Sequence, residues 1–200
     1  MRNSMLQASV GAFIAALVTG CASTDPSVHG KGANTISGSA DGEQPFSTLS
    51  SALWISTPDP ASATGSAQTT VVYLFSSPMA CDALRSAGWD QTLPSGTQYL
   101  ETKMGWRGSS PPSVFPESYA VVDNAAPEAT AAPPGGNAFA LWARAPMPPN
   151  ASELSASRGM VTLTALNQSA NVAGEFSVSY NGGSLSGTFS ATYCPDGREP

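Results

Sequence analysis

The last part of the chain alternates between apolar and polar residues without a break. Val172, Gly174, Phe176, Val178 and Tyr180 interleave with Ala173, Glu175, Ser177 and Ser179. After Asn181-Gly182-Gly183-Ser184, the positions Leu185, Gly187, Phe189, Ala191 and Tyr193 interleave with Ser186, Thr188, Ser190 and Thr192. A period of two on both sides of a glycine-rich turn predicts an antiparallel hairpin with one buried face. Pairing Tyr180 with Leu185 sets Val178 opposite Gly187 and Phe176 opposite Phe189 on that face.

Shorter runs of the same kind precede it. Phe46 to Ile55 carries Leu49, Leu53 and Ile55, and breaks at Thr57-Pro58-Asp59-Pro60. Thr69 to Phe75 is dense in Val, Tyr, Leu and Phe, Gln98 to Met104 alternates, and Tyr119–Val122, Phe139–Trp142 and Met160–Leu166 are further strand-like runs. Ser77-Pro78 reads as an N-cap followed by Pro at the first helical position. Gly88 then ends a short helix near residues 78–87 that holds Cys81 and Leu84. Trp54 and Trp142 fall inside apolar runs and are assigned to the core. Roughly eight short strands between turn signals predict an all-β domain, a single antiparallel sandwich or open barrel.

Composition sharpens this picture. Only 11% of residues are charged, while Gly (19) and Pro (17) are plentiful, which suits strands and turns over Glu/Lys/Leu-rich helices. From 21 to 45 the chain is polar and aperiodic, with Val28 and Ile36 isolated, and is expected to be a flexible tether carrying the only histidine, His29. The expected division is therefore 1–20, 21–45 and a β-rich domain over 46–200. Net charge is −6 and the basic residues are scattered, so the electrostatic footprint of a nucleic-acid binder is missing, as is a polybasic membrane patch.

The first residues carry an address. Arg2 precedes an apolar run from Val10 to Val18. That run is far short of the ~20 residues needed to cross a bilayer, and is of the length of a signal-peptide core. The following Val18-Thr19-Gly20-Cys21 resembles the lipobox of bacterial lipoproteins, with an aliphatic residue at −3, small residues at −2 and −1, and the cysteine after the cut. The family prefers Leu where Val18 stands. The resemblance implies diacylglyceryl transfer to the Cys21 sulfur, cleavage between Gly20 and Cys21, and acylation of the freed amine. Acyl chains at ~0.8 kcal/mol per buried methylene then hold the protein on a membrane. Ala22, where an Asp would favour inner-membrane retention, implies outer-membrane sorting in a Gram-negative source. The C-terminal stretch from Gly174 to Cys194 is similar to uncharacterised β-rich lipoproteins of Gram-negative soil bacteria, a resemblance that carries no known activity.

With Cys21 lipidated, Cys81 and Cys194 remain, and in an exported domain they are expected to pair; two buried thiols are the alternative. Two cysteines without a nearby histidine fall short of a zinc site, and no cofactor motif is present. His29 sits in the tether, so a Ser-His-Asp arrangement has no base within the domain. Paired carboxylates remain open for Asp82, Asp90, Glu101, Glu117, Asp123, Glu153 and Glu175, although none forms a local signature and solvated surface acids are the better account. Asp41-Gly42-Glu43 and Asp123-Asn124 lack the spacing of a calcium loop. Trp89 and Trp106 lie beside glycines, and Trp106 precedes Arg107. They are candidate ligand-facing aromatics for an envelope glycan or protein partner, with core capping as the competing role. The chain thus reads as a lipid-anchored, non-catalytic binding or structural module, with an envelope hydrolase using paired carboxylates as the alternative.

Overall fold

A computed structural model of the protein describes residues 34–42, 45–46, 48–58, 68–106, 116–123, 136–145, 153–167 and 170–197. All belong to one compact unit, Lys31–Pro200. Gly20, Cys21 and His29 lie outside the described residues. The strands are β1 (Thr35–Ser39), β2 (Ser51–Pro58), β3 (Gln68–Phe75), β4 (Gln98–Trp106), β5 (Glu117–Val121), β6 (Asn137–Arg144), β7 (Leu154–Ser155), β8 (Arg158–Leu166), β9 (Asn171–Tyr180) and β10 (Gly183–Tyr193).

Eight of them close into a barrel in the order β10-β2-β3-β4-β6-β5-β8-β9, with β9 pairing back onto β10. This corrects the expected sandwich or open barrel. Closure runs through short parallel contacts, Thr192 with Leu53 and Tyr193 with Trp54 on one side, and Ala120 with Asn137 and Val121 with Ala138 on another. The sheet is therefore not purely antiparallel. Closing it removes the edges that an open sheet leaves unpaired. β1 and β7 pair with β10 and β6 outside the ring.

The tether expected over 21–45 is corrected at its end. β1 pairs with β10 from Thr35 opposite Thr188 to Ser39 opposite Ser184, Ala40 is buried, and the Phe46 N–H donates to the Gly38 carbonyl at 2.8 Å. Its side chains are mostly exposed, so backbone pairing rather than apolar periodicity makes this strand.

The β9–β10 hairpin forms with its apolar residues on one face, but its register lies two residues from the expected one. Tyr180 pairs with Gly183, which sets Val178 opposite Leu185, Phe176 opposite Gly187 and Phe189 opposite Gly174. The turn is Asn181-Gly182 alone. A shift of two keeps every side chain on its face. The packing shows why this register wins: a Cβ on Gly174 would lie 2.7 Å from Phe189 Cζ, so the missing side chain is the seat of the ring. Phe176 and Phe189 still meet diagonally, with ring centroids 6.5 Å apart.

Strand parity sorts two cores. Inward positions such as Trp54, Val72, Leu74, Leu100, Met104 and Trp142 join Phe176 and Phe189 in the barrel interior. The opposite face of β2, β3 and β4 is also apolar, and Leu53, Ile55, Val71, Tyr73, Phe75 and Tyr99 pack beneath the β3–β4 connection. That connection is not the single helix expected near 78–87. It makes two short 3₁₀ turns, Ala83–Arg85 and Trp89–Thr92. Packing of Leu84 and Trp89 against the sheet holds it down, as does a Cys81–Cys194 disulfide with Cα atoms 5.2 Å apart. On β9 and β10 outward positions away from this cover are polar: Glu175, Ser177 and Ser179, and Ser184, Ser186 and Thr188.

Candidate functional site

Neither tryptophan expected to face a ligand from a loop does so. Gly88, at φ 68°, turns the chain so that Trp89 drops onto the outer core, edge-on to Tyr73 and Phe75 at centroid distances of 5.1 and 5.5 Å, fully buried. Trp106 continues the inward row Leu100, Thr102, Met104 to the end of β4 and is 6% exposed. Both lie next to glycines because of backbone turning and strand ends, not because they sit in exposed loops.

Three of the carboxylates, Glu101, Glu153 and Asp90, lie near the Tyr99 phenol, whose pKa is raised by burial first and then by their charges. Asp82 and Asp196 both pair with Arg85 at 3.2 Å on the surface, and Glu175 is exposed on the outer face of β9. Glu101 lies 4.0 Å from Lys103 on the outward side of β4. Glu153 is pushed above its ordinary range by desolvation and then by the carboxylate of Asp90, one of whose oxygens is buried without a hydrogen-bond partner. Among the described residues no group of three or more His, Cys, Asp or Glu is placed to hold a metal ion.

The barrel interior holds a different cluster. Thr70 lies on the inward face of β3, opposite Ser56 on β2 and Met104 on β4. One step along the neighbouring strands on the same face are Trp54, Thr102 and Trp106, each diagonal to Thr70 at a Cα spacing of about 7–8 Å. The four residues are 0–6% exposed. Trp54 Nε1, Thr70 Oγ1, Thr102 Oγ1 and Trp106 Nε1 all lack a hydrogen-bond partner.

Tyr119 joins them. Met104 and Val121 both pair with Ala138, from β4 and β5 respectively, so Trp106 and Tyr119 stand at the same height on either side of β6. The Tyr119 hydroxyl is buried and unpartnered as well. Burial, with the nearby Glu117 carboxylate, raises its pKa, so the phenol stays protonated and able to donate.

The other end of the interior is built differently. Arg144, which ends the inward row of β6, stacks over Trp142 at 5.3 Å and pairs with Asp41 at 3.1 Å. Asp41 in turn accepts a hydrogen bond from Ser39 Oγ at 2.8 Å, tying β1 to this rim. One end is thus closed by an ion pair, and the interior holds uncharged donors without partners, the buried Tyr180 hydroxyl included. A buried polar group left unpaired costs about 1–3 kcal/mol, so six inside one barrel call for a physical reason.

Periodicity would have found Trp106, since Gln98, Leu100, Thr102, Met104 and Trp106 form one alternating row. Thr70 and Thr102 carry no such signal, because threonine is an ordinary strand residue. Outside the barrel, a small apolar cavity of about 100 Å³ lies under the β3–β4 connection, lined chiefly by Phe75, Pro78, Met79, Leu93 and Pro94. No family model, curated protein or solved structure matches the chain.

Proposed function

We propose that this protein is a lipid-anchored, non-catalytic binding barrel of the bacterial cell envelope, exported behind a signal peptide, cut after Gly20 and acylated at Cys21. The disulfide between Cys81 and Cys194 supports an oxidising compartment outside the cytosol. The lipobox-like Val18-Thr19-Gly20-Cys21 supports the anchor, and Ala22 supports the outer membrane as its destination. The observation that carries the binding role is the set of buried, unpartnered donors inside a closed eight-stranded barrel, a size of barrel whose interior is either filled by side chains or holds one small ligand. Indoles, threonines and a protonated phenol hold and orient a guest. They do not exchange protons near neutral pH, which favours binding over acid–base catalysis.

The test is to isolate the protein from its native envelope and examine what is released when it unfolds. Denaturing mass spectrometry is expected to find a small molecule released from wild type and depleted in a Thr70→Val, Trp106→Phe variant. Equal release from both, or none from either, refutes the binding role. A second reading, an envelope hydrolase, draws on the raised pKa of Glu153 beside Asp90. It requires wild type to cleave cell-wall glycan and Glu153→Gln to lose that activity.

A further inference from the structure

Building on the binding reading above, we propose that the interior between β2, β3, β4 and β5 takes a neutral molecule that presents a carbonyl-type acceptor on a compact apolar body. The donor chemistry selects the class. An indole N–H donates and never accepts, so Trp54 and Trp106 together require at least two acceptor lone pairs. Thr70, Thr102 and Tyr119 hydroxyls rotate to complete the set from either side. Carbonyl-type oxygens, each with two lone pairs, meet this requirement, whereas a plain hydrocarbon leaves every donor unpaired.

Charge excludes the anionic members of the same class. The inward positions around Thr70 are Ser56, Trp54, Thr102, Met104 and Trp106, none of them charged. Glu101 and Lys103 have the opposite strand parity and lie on the outer face. The ionised group that does act on this end is the Glu117 carboxylate, which is felt at the Tyr119 phenol and repels a second negative charge. A carboxylate guest would therefore be desolvated without a counter-charge, at a cost a neutral amide or ketone does not meet. The apolar body follows from the surroundings, since Met104, Val72 and the Trp54 ring line the same faces.

The indole resonances read this site directly. In the ¹⁵N-labelled barrel, Trp54 and Trp106 report from inside it, while Trp89 in the outer core is the built-in reference. Acetamide and benzamide are the neutral probes, acetate and benzoate their charged counterparts, and toluene the apolar one. Both amides are expected to move the Trp54 and Trp106 Nε1–H signals downfield saturably and leave Trp89 in place. Thr70→Val is expected to weaken the amides at least fivefold, Thr70→Ser to retain them, and the carboxylates to bind at least tenfold more weakly. Carboxylates or toluene binding as well as the amides overturns the ligand class and leaves the binding barrel standing. Unchanged amide affinity in Thr70→Val overturns the location. If no probe moves either indole, water fills the site and the proposal fails. The binding reading itself then falls only if nothing is released on unfolding the envelope-derived protein.

Discussion

Replacing Thr70 or Thr102 with valine is expected to make the barrel more stable, the reverse of what most buried substitutions do. Threonine and valine have nearly the same shape, so the exchange leaves packing intact and swaps a hydroxyl for a methyl. Both residues are at most 1% exposed and neither Oγ1 has a hydrogen-bond partner, so no favourable interaction is lost. What is recovered is the cost of keeping a hydroxyl from water without a partner, about 1–3 kcal/mol. In a domain of this size each kcal/mol moves the melting temperature by about 2–4 °C. Each single variant is therefore expected to melt higher, and to show a higher urea midpoint at unchanged slope. Thr162→Val supplies the contrast, because its hydroxyl lies 3.0 Å from that of Ser118 on the surface, and its loss brings no gain. The two interior threonines are close enough to couple, so the double variant is expected to depart from additivity. If Thr70→Val and Thr102→Val are less stable than wild type, the hydroxyls are hydrogen-bonded in solution and the interior is not waiting for a guest.

Other parts of the fold are testable in the same melts. Gly174→Ala is expected to destabilise by about 1–3 kcal/mol, because the new methyl falls on the Thr162 carbonyl and the Phe189 ring. Phe189→Ala is expected to cost about 3–5 kcal/mol; a neutral Gly174→Ala would return the hairpin to the other register. Reducing Cys81–Cys194 opens a cross-link spanning 113 residues and is expected to remove about 4–5 kcal/mol, read as the urea midpoint with and without reductant. Cys21→Ser is expected to abolish incorporation of radiolabelled fatty acid, and equal labelling of wild type and variant defeats the anchor. Glu153 has a folded pKa above its unfolded value of 4.5, so its carboxyl favours the folded state when protonated. That contribution is lost as pH rises from 4.5 through the folded value, and wild-type stability is expected to fall relative to Glu153→Gln over that interval.

The alternation of β9 and β10 was legible because period two survives any pairing, and Trp54 and Trp142 because apolar neighbours surround them. Register was less so. It turned on Gly174, whose role as a seat for Phe189 depends on a partner strand rather than on its own neighbours. The second, outer core left a trace in Val71-Val72-Tyr73-Leu74-Phe75, a run apolar on both faces, as a strand covered on both sides must be. β1 escaped notice because its contribution is backbone pairing by exposed residues such as Thr35 and Ser37. The interior donors are the hardest to foresee. Thr70 and Thr102 have strand-like propensity whether or not their hydroxyls are satisfied, and only closure of the sheet shows that they are not.

β10 borders three strands, β1, β2 and β9, and its Thr188 meets Thr35 across 153 residues of chain. The piece that completes the ring is therefore the last to be synthesised. Earlier strands can form the β2–β3–β4 meander locally, but no closed barrel exists until the final segment is present, and pairing over such separations is slow. Under the proposed export from the N-terminus, ring closure and the Cys81–Cys194 cross-link both wait for this strand to follow the rest of the barrel.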